Sequence, residues 1–272
     1  MHAWFNGALI DPVKPALSPL DHGVTVGDGV FEAIKVTDGR PFALTRHLRR
    51  LARSATGLGL PAPDTDHVST GIDAVLAQQQ LAYGRIRVTF TGGVGPLGSG
   101  REPGTPTYLV VATPADPPSP TTKAVTVAWT RNEKGALAGL KTTSYAENVM
   151  ALAEARDRDA TEAIFANTQG LLCEGTGTNV FCVLDGLVVT PPLTSGCLAG
   201  ITRELVLEWY DVHERDLTMA DLAAAEEVFL TSTTRDVQGL HQLDGRTFPA
   251  DQPVTEQVRQ AWQRHEPESI DP

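Results

Sequence analysis

Apolar positions along the chain change period several times, and each change marks an element. Residues 4–10 read as a first strand. A run with strand character follows at 30–37, then Asp38-Gly39, then 40–44. Asp-Gly supplies the positive φ angles of a two-residue turn, so this stretch predicts a β-hairpin. Leu44, Leu48, Leu51, Ala55 and Leu58 recur at three- and four-residue spacing, which predicts a helix over 45–58 with one apolar face. A second helix is expected over 64–82, strands over 85–91 and 108–113, and a glycine-rich loop over 92–100 between those strands.

A proline-rich stretch, 114–120, interrupts the pattern, because proline fixes φ and removes a ladder donor. The expected organisation is an N-terminal α+β domain over 1–113, a linker over 114–122, and a C-terminal domain over 123–272. The second half opens with a strand over 123–130. A polar loop then runs into a helical pattern that ends near Arg158, which puts Lys141 at the mouth of a helix. Beyond it come a strand over 162–166 and short strands across 171–189, with Asp185-Gly186 as a second hairpin turn. Helices over 201–212 and 219–225 and a strand over 227–231 complete the pattern. From Glu266 onward the chain is polar and expected to fray.

Composition narrows the function classes. A hydrophobic share of 41% with 20% charged residues describes an ordinary globular protein. A net charge of −11 argues against a general nucleic-acid or acidic-membrane surface. No leader pattern and no apolar run long enough to span a bilayer is visible. Cys173, Cys182 and Cys197 lack CxxC pairing, which points to a reducing, cytoplasmic setting with no metal site. The expected partners are small molecules, with no nucleic acid and no membrane.

Several residues carry chemistry. Lys141, followed by Thr142-Thr143-Ser144 and Tyr145, suits an imine-forming lysine. Glu174 is a carboxylate beside a glycine turn. Gly200-Ile201-Thr202 opens a helix whose free N–H groups favour an anion. Ser232-Thr233-Thr234 offers hydroxyls at a strand end, and Arg50 offers a forked cation. The loop over 92–100 lacks the Gly-Lys-Ser/Thr ending of a nucleotide P-loop, and no helix pattern follows it. A mobile active-site loop and a plain connection both stay open.

These motifs, taken in order, closely resemble the class IV (fold-type IV) pyridoxal-phosphate enzymes: branched-chain aminotransferases, D-amino acid aminotransferases and 4-amino-4-deoxychorismate lyases. The resemblance runs through Trp4-Phe5-Asn6-Gly7, Gly27-Asp28-Gly29-Val30-Phe31-Glu32, His47-Leu48-Arg49-Arg50-Leu51, Leu140-Lys141, Glu174-Gly175, Asn179-Val180-Phe181, Gly200-Ile201-Thr202-Arg203 and Val228 through Thr234. It implies a mixed α/β, α+β-type fold of two domains with the cofactor site between them, and a homodimer. It implies that Lys141 carries pyridoxal 5'-phosphate and moves the substrate's α-proton. Glu174 would pair with the pyridine nitrogen and Tyr145 with the phenolic oxygen. Arg50, Ile201, Thr202, Ser232 and Thr233 would bind the phosphate.

The same resemblance implies a transaminase moving an amino group from an amino acid or small primary amine to a 2-oxo acid. The amino donor is left open between D-amino acids, branched-chain L-amino acids and (R)-amines. A lyase releasing pyruvate from aminodeoxychorismate is the alternative, and a non-catalytic protein on this scaffold is the second. D-amino acid enzymes carry a tyrosine where this chain has Phe31. They also carry an Arg-x-His carboxylate trap in the loop where this chain has Arg101 only at the far end. Phe31 and Arg87 are therefore the expected substrate contacts.

Overall fold

The structure, a computed structural model, describes residues 1–272. The chain divides into two compact units. The first comprises Met1–Pro117, Leu140–Tyr145 and Ile270–Pro272; the second comprises Pro118–Gly139 and Ala146–Ser269. The changeover after Pro117 falls inside the proline-rich stretch. The expected continuous domain over 123–272 is interrupted by the segment that holds Lys141, and its last three residues belong to the first unit.

The first unit contains β1 (His2–Phe5), β2 (Ala8–Ile10), α1 (His22–Thr25), β3 (Gly29–Thr37), β4 (Arg40–Pro41), α2 (Leu44–Gly57), α3 (Thr65–Leu76), β5 (Tyr83–Thr91) and β6 (Thr107–Pro114). Its strands form one antiparallel sheet in the order β2-β1-β6-β5-β3-β4. The β3–β4 hairpin turns at Asp38 and Gly39, with φ of 49° and 74°, as the sequence predicts. Helices α2 and α3 cover one face. Ile34, Ile86 and Phe90 from the sheet meet Leu51 and Ile72 from the helices, all fully buried. Replacing Ile86 by alanine in such a core costs about 2–5 kcal/mol.

The second unit contains β7 (Thr121–Arg131), α4 (Ala146–Asp157), β8 (Glu162–Asn167), β9 (Leu172–Gly175), β10 (Asn179–Leu184), β11 (Leu187–Thr190), α5 (Ile201–Trp209), β12 (His213–Glu214), α6 (Met219–Ala224), β13 (Glu227–Ser232), β14 (Asp236–Leu243), β15 (Arg246–Thr247) and α7 (Pro253–His265). Nine strands form its sheet, in the order β12-β11-β10-β13-β14-β7-β8-β9 with β15 on β14. The β11–β12, β14–β7 and β7–β8 pairs are parallel. The mixture of helices with two mainly antiparallel sheets is the expected α+β class.

Four expectations change. Helix α3 stops at Leu76 rather than at 82: the chain turns there, and the Gln79 amide donates to the Ala112 carbonyl of β6. Strand β14 and helix α7 were not anticipated, although Val258, Ala261 and Trp262 give α7 a buried face behind Pro253 at its first turn. The tail does not fray. Asp271 accepts from the backbone N–H of Thr45, so it caps α2, whose own N-cap residue Ala43 has no capping side chain. Finally, Lys141 is not at a helix mouth. Phe31 N–H donates to the Lys141 carbonyl at 3.0 Å and Thr143 N–H donates to the Gly29 carbonyl at 2.8 Å. Those backbone groups serve the open edge of β3, and α4 begins only at Ala146.

Candidate functional site

In the first unit, the pleat of β3 sorts its side chains to two faces. Val30, Glu32 and Ile34 point to the covered face. Phe31 points to the other, opposite Thr89 and diagonal to Arg87 on β5. The strip at the β3 edge is in register through Val30 and Thr142, so Lys141 lies on the Phe31 face. The Lys141 Nζ sits 4.5 Å from the Phe31 ring centroid, and the Arg87 guanidinium carbon sits 3.8 Å from it. Tyr145 meets the same ring edge-on at 5.3 Å. The strip is fixed further back by Lys141 N–H donating to Ser54 Oγ of α2, at 3.2 Å. Four of the expected residues, Phe31, Arg87, Lys141 and Tyr145, are thus gathered around one ring. Arg87 donates its Nε–H to Thr89 at 3.3 Å and forms no ion pair.

Arg50 belongs to a different cluster. It is buried on α2, donating Nε–H to Glu32 Oε1 and Nη2–H to Oε2, both at 2.7 Å. His47, one turn earlier, contacts Glu32 Oε2 through Nδ1 at 2.7 Å. Burial alone would push the Glu32 carboxyl up. The Arg50 charge and hydrogen bond, joined by those of His47, overcome this and hold it at about 2. Burial depresses His47 more than Glu32 raises it, and the charges of Arg50 and Lys141 depress it further. A neutral His47 carries its hydrogen on Nδ1 and donates it to Glu32.

In the second unit, Glu174 lies one residue before the end of β9, with its Oε2 accepting from Leu198 N–H at 2.8 Å and its Oε1 3.4 Å from Arg131 Nε. Arg131 stacks 4.0 Å above the Phe165 ring and is gripped by Glu147 and Asn148. The same Leu198 peptide offers its carbonyl to Asn179 Nδ2 at 2.9 Å. Asn179 pairs with Thr231 across β10 and β13, and its Oδ1 lies where a Cβ on Gly200 would come, at 2.1 Å. Glu174, the start of α5 and the end of β13 are therefore brought together around Asn179. No side chain caps α5 at Gly200, so the first N–H groups, at Ile201 and Thr202, are directed outward from the helix end. Thr231 Oγ1 is buried without a hydrogen-bond partner, one residue before Ser232. Ser232 and Thr233 are half-buried at the strand end. This corner of backbone donors and hydroxyls suits an anion with several oxygens.

Sequence reasoning missed Arg131, Asn179 and the Glu32–His47–Arg50 contacts. Arg131 reads as a lone charge at a strand end; only its stacking and its distance to Glu174 mark it. Asn179 had a signal, since it lies within a quoted motif, but its link to Gly200 is visible only in space.

The family model described as amino-transferase class IV matches residues 29–243. A provisionally named branched-chain-amino-acid aminotransferase of Methanocaldococcus jannaschii is 35% identical over 260 residues, covering 91% of this chain and 90% of that protein. A bifunctional aminodeoxychorismate lyase / D-amino acid transaminase of Mycobacterium tuberculosis is 30% identical over 272 residues, covering 90% and 91%. A hypothetical aminotransferase of Mycobacterium tuberculosis, solved in its PLP-bound form, superimposes with a TM-score of 0.86 at 27% identity, over 97% of this chain and 98% of that one.

Proposed function

The chain belongs to the class IV aminotransferase family, and from that membership we propose that it is a pyridoxal-phosphate-dependent transaminase whose working lysine is Lys141. The observation that carries the reading is the placement of Lys141 Nζ over the Phe31 ring, on a strip pinned to β3, with Arg87 on the same ring. The substrates are an amino acid or small primary amine and a 2-oxo acid.

The residues fit the cofactor. The uncapped α5 start, the partnerless Thr231 hydroxyl and the Gly200 position that admits no Cβ supply donors for a phosphate. Ile201 and Thr202 would hold it through backbone N–H groups, and Ser232 and Thr233 through hydroxyls; the Arg50 fork is held by Glu32. Glu174 would accept a hydrogen bond from the protonated pyridine nitrogen, and Tyr145 would donate to the phenolic oxygen. Bound there, the cofactor supplies an electron sink for the carbanion formed when a substrate loses its α-proton.

Lys141 Nζ takes that proton and returns it at the other end of the transfer. Its position is over-determined: the backbone is tied to Gly29, Phe31 and Ser54, so the amine swings only about its side-chain torsions. Arg87 receives the substrate carboxylate, because a guanidinium with no carboxylate of its own accepts a forked partner readily. Phe31 supplies the ring against which both cations lie. A pair of subunits is part of the proposal: Leu20, Val24, Val94 and Leu97 are exposed apolar side chains on neighbouring segments of the first unit.

The test is spectroscopic. Mixed separately with D-alanine, L-leucine and (R)-1-phenylethylamine, the pure protein is expected to convert its cofactor to the pyridoxamine form with at least one donor. Pyruvate release from aminodeoxychorismate, with the starting spectrum restored, would instead give it the lyase activity named for the Mycobacterium relative. A colourless protein that takes up no pyridoxal phosphate would sink both.

A further inference from the structure

The loop over 92–106 leaves β5 at Thr91, the last residue on the face that carries Phe31, Arg87 and Thr89. It is built without regular structure, yet side chains of the segment between β2 and β3 tie it at three places. Asp21, fully buried, accepts from Thr91 Oγ1 at 2.8 Å and from Thr107 Oγ1 at 2.6 Å, one at each stem of the loop. His22, also buried, donates Nε2–H to the Pro96 carbonyl at 2.9 Å, and its ring occupies the space a Cβ on Gly95 would need. Asp28 receives Arg101 in a fork, Nε to Oδ2 at 2.8 Å and Nη2 to Oδ1 at 2.5 Å.

Arg101 reaches further. Its Nη1 and Nη2 donate to the carbonyls of Gly59 and Leu58 just past the end of α2, at 3.0 and 2.9 Å. These bonds satisfy carbonyls that a helix end leaves open. The same turn, 27–29, is also where the Lys141 strip is held. Thr143 Oγ1 and Ser144 Oγ both donate to the Gly27 carbonyl, and the Asp28 carbonyl accepts from Gly92 N–H. Loop and lysine strip therefore hang from one turn, but by different bonds. The strip is held by Gly27 and Gly29 backbone. The first part of the loop is held by backbone as well, with His22 N–H donating to the Gly93 carbonyl at 2.8 Å and Gly95 N–H to the Leu20 carbonyl at 3.1 Å; beyond Pro96 the loop is held by the Asp28–Arg101 fork.

We propose that Arg101 is a positioning residue: closed on Asp28 and on the Leu58 and Gly59 carbonyls, it fixes the later part of the loop, 97–106, beside the Phe31–Arg87 face, and it does not itself meet the substrate carboxylate. A guanidinium with four directed contacts has its fork occupied, whereas Arg87 does not. The inference rests on the transaminase reading for its kinetic consequence and on geometry alone for its dynamic one.

Two variants test it, Arg101→Met and Asp28→Asn, each compared with the wild-type holoenzyme. Hydrogen exchange followed by mass spectrometry is expected to show the amides of 97–104 exchanging at least tenfold faster in both, with those of 92–95 much less changed. The KM for the 2-oxo acid should rise about tenfold in both, since small misplacements at a binding face carry effects of that size. The kcat should stay within about twofold and the cofactor spectrum should not change, because the Lys141 strip keeps its own bonds. Arg101→Lys, which keeps the charge but not the fork, should fall between. Unchanged exchange would overturn the proposal. So would an Asp28→Asn enzyme whose KM is unchanged or lower while that of Arg101→Met rises, since freeing the guanidinium would then help a direct contact. If the wild type takes up no cofactor, the transaminase reading fails, and the exchange comparison still judges the clasp.

Discussion

Strand β3 presents two charged settings on its two faces, and they differ in what surrounds the charges. On the covered face Glu32 is enclosed by Arg50 and His47, with its oxygens occupied and a carboxyl held at about 2. On the other face Phe31 carries Lys141 and Arg87, two cations against one ring. A single pleat separates a group locked in one protonation state from a pair positioned to meet outside anions and protons. The closed cluster anchors α2, whose Ser54 in turn holds the Lys141 backbone. Rigidity on one side of the strand is what makes placement on the other side reproducible.

The difference has measurable consequences. Glu32→Ala should have the largest effect, leaving Arg50 buried without its carboxylate at a cost of about 3–5 kcal/mol in denaturant unfolding. A loss under about 1 kcal/mol would mean that the cluster is not closed. Acid should act through the same residue. Glu32 has a folded value of about 2 against an ordinary 4.5, so its contribution is full above about pH 4.5 and disappears as pH falls towards 2. The size is about 3 kcal/mol, and a Glu32→Gln protein should lack that component of its acid profile.

The open face should respond in kinetics and not in stability. Arg87→Met is expected to raise KM for carboxylate-bearing substrates about tenfold or more, roughly 1.4 kcal/mol of binding. Its unfolding free energy should move by no more than about 0.5 kcal/mol, because the residue is exposed. An equal loss of stability would erase the contrast between the faces. The smallest effect is expected from Asp271→Ala, which removes the cap on α2 and should cost about 1 kcal/mol of unfolding free energy.

Much of the fold was legible because local chemistry agreed with the outcome. Asp38-Gly39 and Asp185-Gly186 turn as their residue types require, and the α2 stripe buries where its period points. The setting of Lys141 was not legible. Thr142-Thr143-Ser144 before an apolar repeat imitates a helix start, and only the open edge of β3, more than a hundred residues earlier, draws those backbone groups into an extended strip. The tail was misread for the same kind of reason: a polar ending carries no sign that Asp271 will cap a helix 226 residues away. Motif order identified Lys141, Glu174 and Arg50 as chemistry. It did not reveal that Arg50 answers Glu32, or that Arg101 is occupied by Asp28, because both pairings join separate elements.

The central claim is that Lys141 is the residue that engages the cofactor. Its most direct measurement is borohydride reduction of the protein loaded with pyridoxal phosphate, followed by proteolysis and mass spectrometry. The chain holds five lysines: Lys14, Lys35, Lys123, Lys134 and Lys141. The expected result is a single modified peptide carrying the reduced cofactor on Lys141, absent from a Lys141→Ala protein that still unfolds cooperatively. Stable label on Lys35, or on any of the other three in place of Lys141, or no label at all, would contradict it.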